Sequence, residues 1–244
     1  MRCFRVTIEY DGTDFAGFQY QVGQRSVQGE IERAVEKLTG QAIRVNGAGR
    51  TDTGVHALGQ VISFAADTRI PTDKLSIALN SVFPRDVAAV GAEEVDERFH
   101  ARFSAKSRAY VYVILNREHP SAVFGRYTYH YPYELDIAAM RDGAAQLLGE
   151  HDFSAWANST TETTSTVRNI FRCNVRPTRR FLLVQIEANA FLRGMVRNIV
   201  GTLVEVGSGK RRPEEITKIT ESRERANAGP SAPARGLCLV RVRY

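Results

Sequence analysis

The chain lacks most features that would place it in a specialised class. Its three cysteines, Cys3, Cys173 and Cys238, are odd in number and show no C-x-x-C spacing, which excludes a disulfide framework and a zinc knuckle and reads as intracellular. No window approaches the ~18 apolar residues of a membrane span. The first ten residues alternate apolar and charged side chains, a strand pattern rather than the continuous apolar core of a signal peptide, so the expected location is the cytoplasm. The five histidines (His56, His100, His119, His130 and His151) have no short metal-ligand spacing, and no G-x-S-x-G elbow marks a serine hydrolase. Lysine is scarce too, with 5 against 28 arginines.

What is present is a globular composition. At 244 residues, 43% hydrophobic and 25% charged, the chain is neither disordered nor collagen-like, and a chain of this size buries roughly 72% of its unfolded surface without cross-links. The net charge of +6 is carried by arginine, whose planar fork grips phosphate and stacks on bases. Codon usage in a GC-rich genome would give the same excess, but it would spread arginine evenly. Instead the stretch 166–212 holds ten basic residues (Arg168, Arg172, Arg176, Arg179, Arg180, Arg193, Arg197, Lys210, Arg211 and Arg212) against Glu187 and Glu205. Such a local concentration favours nucleic acid or another polyanion over a merely solvated face.

The periodicity predicts two α+β halves, 1–105 and 106–244. In the first, Phe4, Val6, Ile8 and Tyr10 mark a half-buried strand, and Ser26 caps a helix with an apolar stripe of Val27, Ile31, Ala34, Val35 and Leu38 that ends at Gly40. Strands over 43–48 and 61–66 then flank a loop, 49–59, followed by a helix over 72–82 and a strand over 87–94. In the second half, strands are expected over 107–115, 166–175, 181–190 and 237–242, with helices over 135–148, 195–206 and from Pro213. Tyr127, Tyr129, Tyr131 and Tyr133 recur at alternate positions and read as an exposed edge or loop strand rather than a base-stacking ladder.

Two glycine-rich stretches fail as phosphate loops. Gly47-Ala48-Gly49-Arg50-Thr51-Asp52 places a carboxylate where a dinucleotide loop needs its third glycine, and Gly207-Ser208-Gly209-Lys210-Arg211 lacks the first glycine and the Mg²⁺-binding hydroxyl of a Walker A loop. The first stretch carries a different chemistry. Asp52 is a single carboxylate beside Arg50, in a loop where Gly49 and Gly54 permit close approach of a ligand, and no second carboxyl lies within the motif to make an acid/base pair. One ionised carboxylate suits nucleophilic attack or proton abstraction.

The stretch Asn46-Gly47-Ala48-Gly49-Arg50-Thr51-Asp52-Thr53-Gly54-Val55-His56-Ala57 resembles the active-site loop of the TruA family, the tRNA pseudouridine(38-40) synthases. Further motifs of that family follow in order along the chain: Tyr10-Asp11-Gly12-Thr13, Arg25-Ser26-Val27-Gln28, Phe99-His100-Ala101-Arg102, Ser107-Arg108-Ala109-Tyr110-Val111-Tyr112, Phe191-Leu192-Arg193-Gly194-Met195-Val196-Arg197-Asn198 and Ala232-Pro233-Ala234-Arg235-Gly236-Leu237. The sequence departs from the pattern at Phe18, where the family often has tryptophan, and at Arg193-Gly194.

The resemblance implies an α+β pseudouridine synthase fold, with a mostly antiparallel central sheet and two halves around a catalytic cleft. It also implies isomerisation of uridine in the anticodon stem-loop of tRNA by a homodimer that needs no cofactor or metal. Asp52 would be the catalytic carboxylate, Tyr110 would stack on the target base, and Arg197 would keep Asp52 ionised. Arg50 would contact phosphate, and Arg193 would lie among the RNA-binding residues.

Overall fold

The computed structural model describes residues 1–158 and 164–244. In chain order the elements are β1 (Arg2–Tyr10), α1 (Val27–Thr39), β2 (Asn46–Gly47), β3 (His56–Ala66), α2 (Thr72–Asn80), β4 (Val87–Glu94), β5 (Ser107–Asn116), β6 (Tyr129–Tyr131), α3 (Ile137–Ala145), β7 (Gly149–Asp152), β8 (Val167–Pro177), β9 (Leu182–Ala188), α4 (Met195–Gly207), α5 (Glu215–Ser222) and β10 (Leu237–Arg243). The fold is α+β: β1 with β3, β1 with β4, β2 with β3, β5 with β9, β7 with β8 and β8 with β9 pair antiparallel, and β5 with β6 pairs parallel. The chain divides into two compact units: 1–106 with 239–244, and 107–238.

In the first unit β1 runs antiparallel to both β3 and β4. The alternation read from the sequence is its burial pattern, with Phe4, Val6, Ile8 and Tyr10 all inward. Phe4 sits directly opposite Phe64 with ring centroids 5.6 Å apart, and Val6 sits opposite Ile62. Each such buried side chain stabilises the fold by about 1.5–3 kcal/mol. In α1 the predicted cap is present, since Ser26 Oγ accepts the Gly29 N–H at 3.2 Å, and Gly40 closes the helix with φ 70°.

The strand expected over 43–48 shrinks to β2. The backbone of Val45 is claimed by side chains of α1: Gln28 Nε2 donates to its carbonyl at 3.3 Å, and Glu32 Oε1 accepts its N–H at 3.1 Å. With its hydrogen bonds satisfied there, Val45 is buried without joining a ladder. In compensation β3 starts earlier than expected, at His56.

The second unit is built on the strand order β6-β5-β9-β8-β7. Tyr110, Tyr112 and Ile114 of β5 face inward, opposite Ile186, Val184 and Leu182 of β9. The tyrosine run forms the short strand β6, parallel to β5 and half-buried, with Tyr129, Tyr131 and Tyr133 stacking edge to face. The helix expected over 135–148 is shorter, because Asp136 caps it by accepting the Ala139 N–H and the chain turns into β7 at Gly149, whose φ is 93°.

The apolar side of α4 (Ile199, Val200 and Leu203) is fully buried. Gly201 of α4 lies under the backbone of Pro230, and a methyl group there would overlap the Pro230 carbonyl oxygen. Gly201→Ala should therefore destabilise the protein by about 3 kcal/mol despite the better helix propensity of alanine. Urea denaturation checks this, and an unchanged midpoint would contradict the packing.

Candidate active site

The loop carrying Asp52 emerges from β2 and returns through β3, and several of its backbone groups are tied down. Asn46 and Gly47 pair with Ser63 and Ile62, and the Ala48 N–H donates to the Val61 carbonyl at 2.8 Å. Gln60, fully buried on β3, donates from Nε2 to the Gly49 carbonyl at 2.7 Å. The Thr51 hydroxyl lies 2.8 Å from the Tyr10 hydroxyl, and the Thr51 carbonyl accepts the Phe18 N–H at 3.0 Å. Past Asp52 the chain turns at Gly54, φ 78°, closed by the Val55 N–H donating to the Asp52 carbonyl at 3.1 Å. This fixed backbone presents Arg50 exposed and Asp52 half-buried, with Thr51 buried between them.

A second segment, 11–18, lies against this loop. Gly17, at φ 102°, comes so near that a Cβ would lie 2.9 Å from the Thr51 carbonyl oxygen. Gly12 passes closer still to Val55, and its N–H donates to His56 Nδ1 at 3.0 Å. Asp11 Oδ1 lies 3.1 Å from the same nitrogen. The same oxygen accepts the N–H and hydroxyl of Thr13 at 3.0 and 2.6 Å.

The far end of that segment is clamped by Arg25. Its guanidinium meets both oxygens of Asp86 at 2.7 and 2.9 Å and Glu30 at 3.0 Å, and it lies over the Phe15 ring at 4.1 Å. The Asp86 hydrogen bonds, followed by the Asp86 charge and Glu30, hold Arg25 protonated well above the usual arginine range. Phe18 is buried against Gly47, where even a methyl group would strike its ring. At this position the aromatic ring supports the loop from beneath.

Tyr110, Arg193 and Arg197 belong to the second unit. Tyr110 is largely buried, with its ring edge-on to Phe191 at 5.1 Å. Phe191 leads into the segment that ends with Arg197 in the first turn of α4, so the two motifs that the sequence separates by about eighty residues meet at this ring pair. Arg193 is exposed, and its carbonyl accepts the Asn158 N–H at 2.9 Å. Gly194 follows at φ 74°, with the Asn158 side chain filling the space a Cβ would need. Arg197 is half-buried, and its Nε donates to the Ala232 carbonyl at 2.8 Å. The neighbouring Asn198, fully buried, gathers Trp156, Asn158, Arg225 and Ser231 around its amide. Among the described residues no cluster of histidine, cysteine, aspartate or glutamate could hold a metal ion.

A family model described as tRNA pseudouridine synthase matches residues 6–104 and 144–244. The chain belongs to the tRNA pseudouridine synthase family. Its relatives include proteins named tRNA pseudouridine synthase A from Thermoanaerobacter sp. (strain X514), 45% identical over 244 residues, and from Acetivibrio thermocellus, 46% identical over 244 residues, each covering 100% of both chains. The corresponding protein of Moorella thermoacetica is 45% identical over 246 residues, again covering 100% of both chains. Among solved structures, an archaeal box H/ACA sRNP Nop10–Cbf5 complex has a TM-score of 0.34 at 11% identity, covering 82% of this chain and 43% of that one, too distant to bear on the site. As a member of the tRNA pseudouridine synthase family, the protein is an isomerase.

The sequence pattern marked Asp52 and Arg50 in their loop and missed the groups that hold them. Gln60 and Tyr10 carry no local signal for that role, because their contacts with the loop span 11 and 41 positions along the chain. Gly12→Ala, which forces a methyl group onto the Val55 carbonyl, should displace the Asp52 loop and lower kcat by about 10²-fold. Release of tritium from tRNA labelled at uridine C5 measures it, and a wild-type rate would show that the loop tolerates the shift.

Proposed function

We propose that this synthase isomerises uridine to pseudouridine at positions 38–40 in the anticodon stem-loop of tRNA, with Asp52 as the catalytic carboxylate. The observation that carries the reading is the loop 46–57: it matches the TruA pattern and holds a half-buried carboxylate on a fixed backbone beside an exposed arginine. In the reaction the N1 glycosidic bond breaks, the base turns, C5 bonds to the ribose and loses its proton, and N1 gains one. The balance is redox-neutral and needs no cofactor. An ionised carboxylate supplies the one nucleophile or base that the chemistry requires.

Tyr110 and Arg197 complete the proposed catalytic set, Tyr110 stacking on the target base and Arg197 supplying the positive charge that keeps a carboxylate ionised. Arg50 and Arg193, both exposed, are assigned to the RNA. A base paired in a stem must leave the stack at a cost of a few kcal/mol, and contacts from the basic stretch 166–212 to phosphates offset it. We assign the catalytic loop to the N-terminal half, 1–105, and the RNA-binding basic stretch to the C-terminal half, 106–244. Resemblance to the TruA family supports a cytoplasmic homodimer, which sedimentation equilibrium tests directly.

Asp52→Asn should retain tRNA binding and lower pseudouridine formation by at least about 10²-fold. Mapping the product by position on unmodified tRNA transcripts also tests the substrate. Near-normal yield from the variant would remove Asp52 from the mechanism, and product outside 38–40 would redirect the substrate assignment.

A further inference from the structure

Behind the Asp52 loop lies a buried polar chain that the reaction chemistry does not use. Gln60 is fully buried on β3, opposite Ile8 of β1. Its amide is committed on both sides: Oε1 accepts the Val61 N–H at 3.2 Å, and Nε2 donates to the Gly49 carbonyl at 2.7 Å and reaches the Tyr10 hydroxyl at 3.5 Å. Tyr10, buried at the end of β1, places that hydroxyl 2.8 Å from Thr51 Oγ1. The geometry depends on a bulge. Between the Ile8–Gln60 and Tyr10–Ala57 pairs, β3 takes one more residue than β1. Gly59, in that extra stretch, makes it possible, because a side chain there would meet the Val240 carbonyl.

We infer that Gln60, Tyr10 and Thr51 form a positioning relay for Asp52. The relay grips the loop at Gly49 and Thr51, the residues on either side of Arg50, and Thr51 is also the residue whose backbone leads directly into the Asp52 Cα. With the Thr51 carbonyl held by the Phe18 N–H and the Asp52 carbonyl held by Val55, the direction of the Asp52 side chain is set from both sides. The hydroxyl pair is the part of this restraint that side chains make at Thr51 itself. Its loss should therefore move the carboxylate without removing any group that touches RNA. The inference rests on the reading of Asp52 as the catalytic carboxylate.

Thr51→Val keeps the shape of the side chain and removes its hydroxyl, Thr51→Ser keeps the hydroxyl, and Tyr10→Phe removes the partner's oxygen while leaving the ring packed. Single-turnover rate and tRNA Kd are measured for each, with Asp52→Asn in the same assay. The rate of Thr51→Val and Tyr10→Phe should fall by about 10²-fold while Kd stays within about twofold, and Thr51→Ser should restore most of the rate. If Tyr10→Phe does not fold, Thr51→Val decides. A wild-type rate for Thr51→Val beside an inactive Asp52→Asn overturns the relay and leaves the Asp52 reading intact. An equal loss of rate and affinity, or no rescue by serine, also overturns it. An active Asp52→Asn overturns the underlying reading and the relay with it.

Discussion

The constraint on which the Asp52 loop depends is the need to satisfy backbone polar groups where a loop runs into the interior of a sheet. An unpaired carbonyl or N–H buried there costs about 1–3 kcal/mol, so each must find a partner without the regular ladder that a strand supplies. Here the partners are a side-chain amide and the backbone of β3, the backbone of the neighbouring segment 11–18, and the loop's own turn at Gly54. Meeting this requirement makes the loop rigid. Under the proposed role of Asp52 the same hydrogen bonds would serve both stability and pre-organisation, since they hold its backbone in one place before substrate arrives.

The second unit solves a related problem at the start of α4. The helix has no side-chain cap, and its entry residue Gly194 is left-handed. Order comes instead from Asn198, whose amide oxygen accepts from Ser231 and Arg225 while its nitrogen donates to Trp156 and Asn158. Two distant stretches of chain, around 156–158 and 225–231, thus converge one residue beyond Arg197. The Arg197 backbone is drawn in as well, its carbonyl accepting the Ala232 N–H at 3.0 Å. Glycines at 194 and 201 are needed because Asn158 and Pro230 take the space where side chains would stand. The departure from the family pattern at Arg193-Gly194 is, on the glycine side, a backbone requirement.

Elements whose signals are local were legible in the sequence. The cap and end of α1, the alternation of β1 and the span of β4 follow from periodicity and from residues within a few positions. Long-range competition decided the rest. The segment 43–48 has the pattern of a strand, yet Gln28 and Glu32 capture Val45. The strand β7 is four residues long and polar, and pairing with β8 is what defines it. In the site, a carboxylate between glycines was readable as chemistry. The tyrosine and glutamine behind it looked like ordinary strand residues, because the loop atoms they reach are distant along the chain.

The distribution of aromatic side chains has a spectroscopic consequence. The chain has a single tryptophan, Trp156, fully buried, with its indole N–H donating to the Thr220 hydroxyl at 3.0 Å. The unit holding Asp52 contains no indole at all. Intrinsic fluorescence excited at the red edge therefore observes only the unit that carries Tyr110 and Arg197, from a dry and hydrogen-bonded environment. The molecule is labelled by its own sequence so that one of its two units emits and the other is dark.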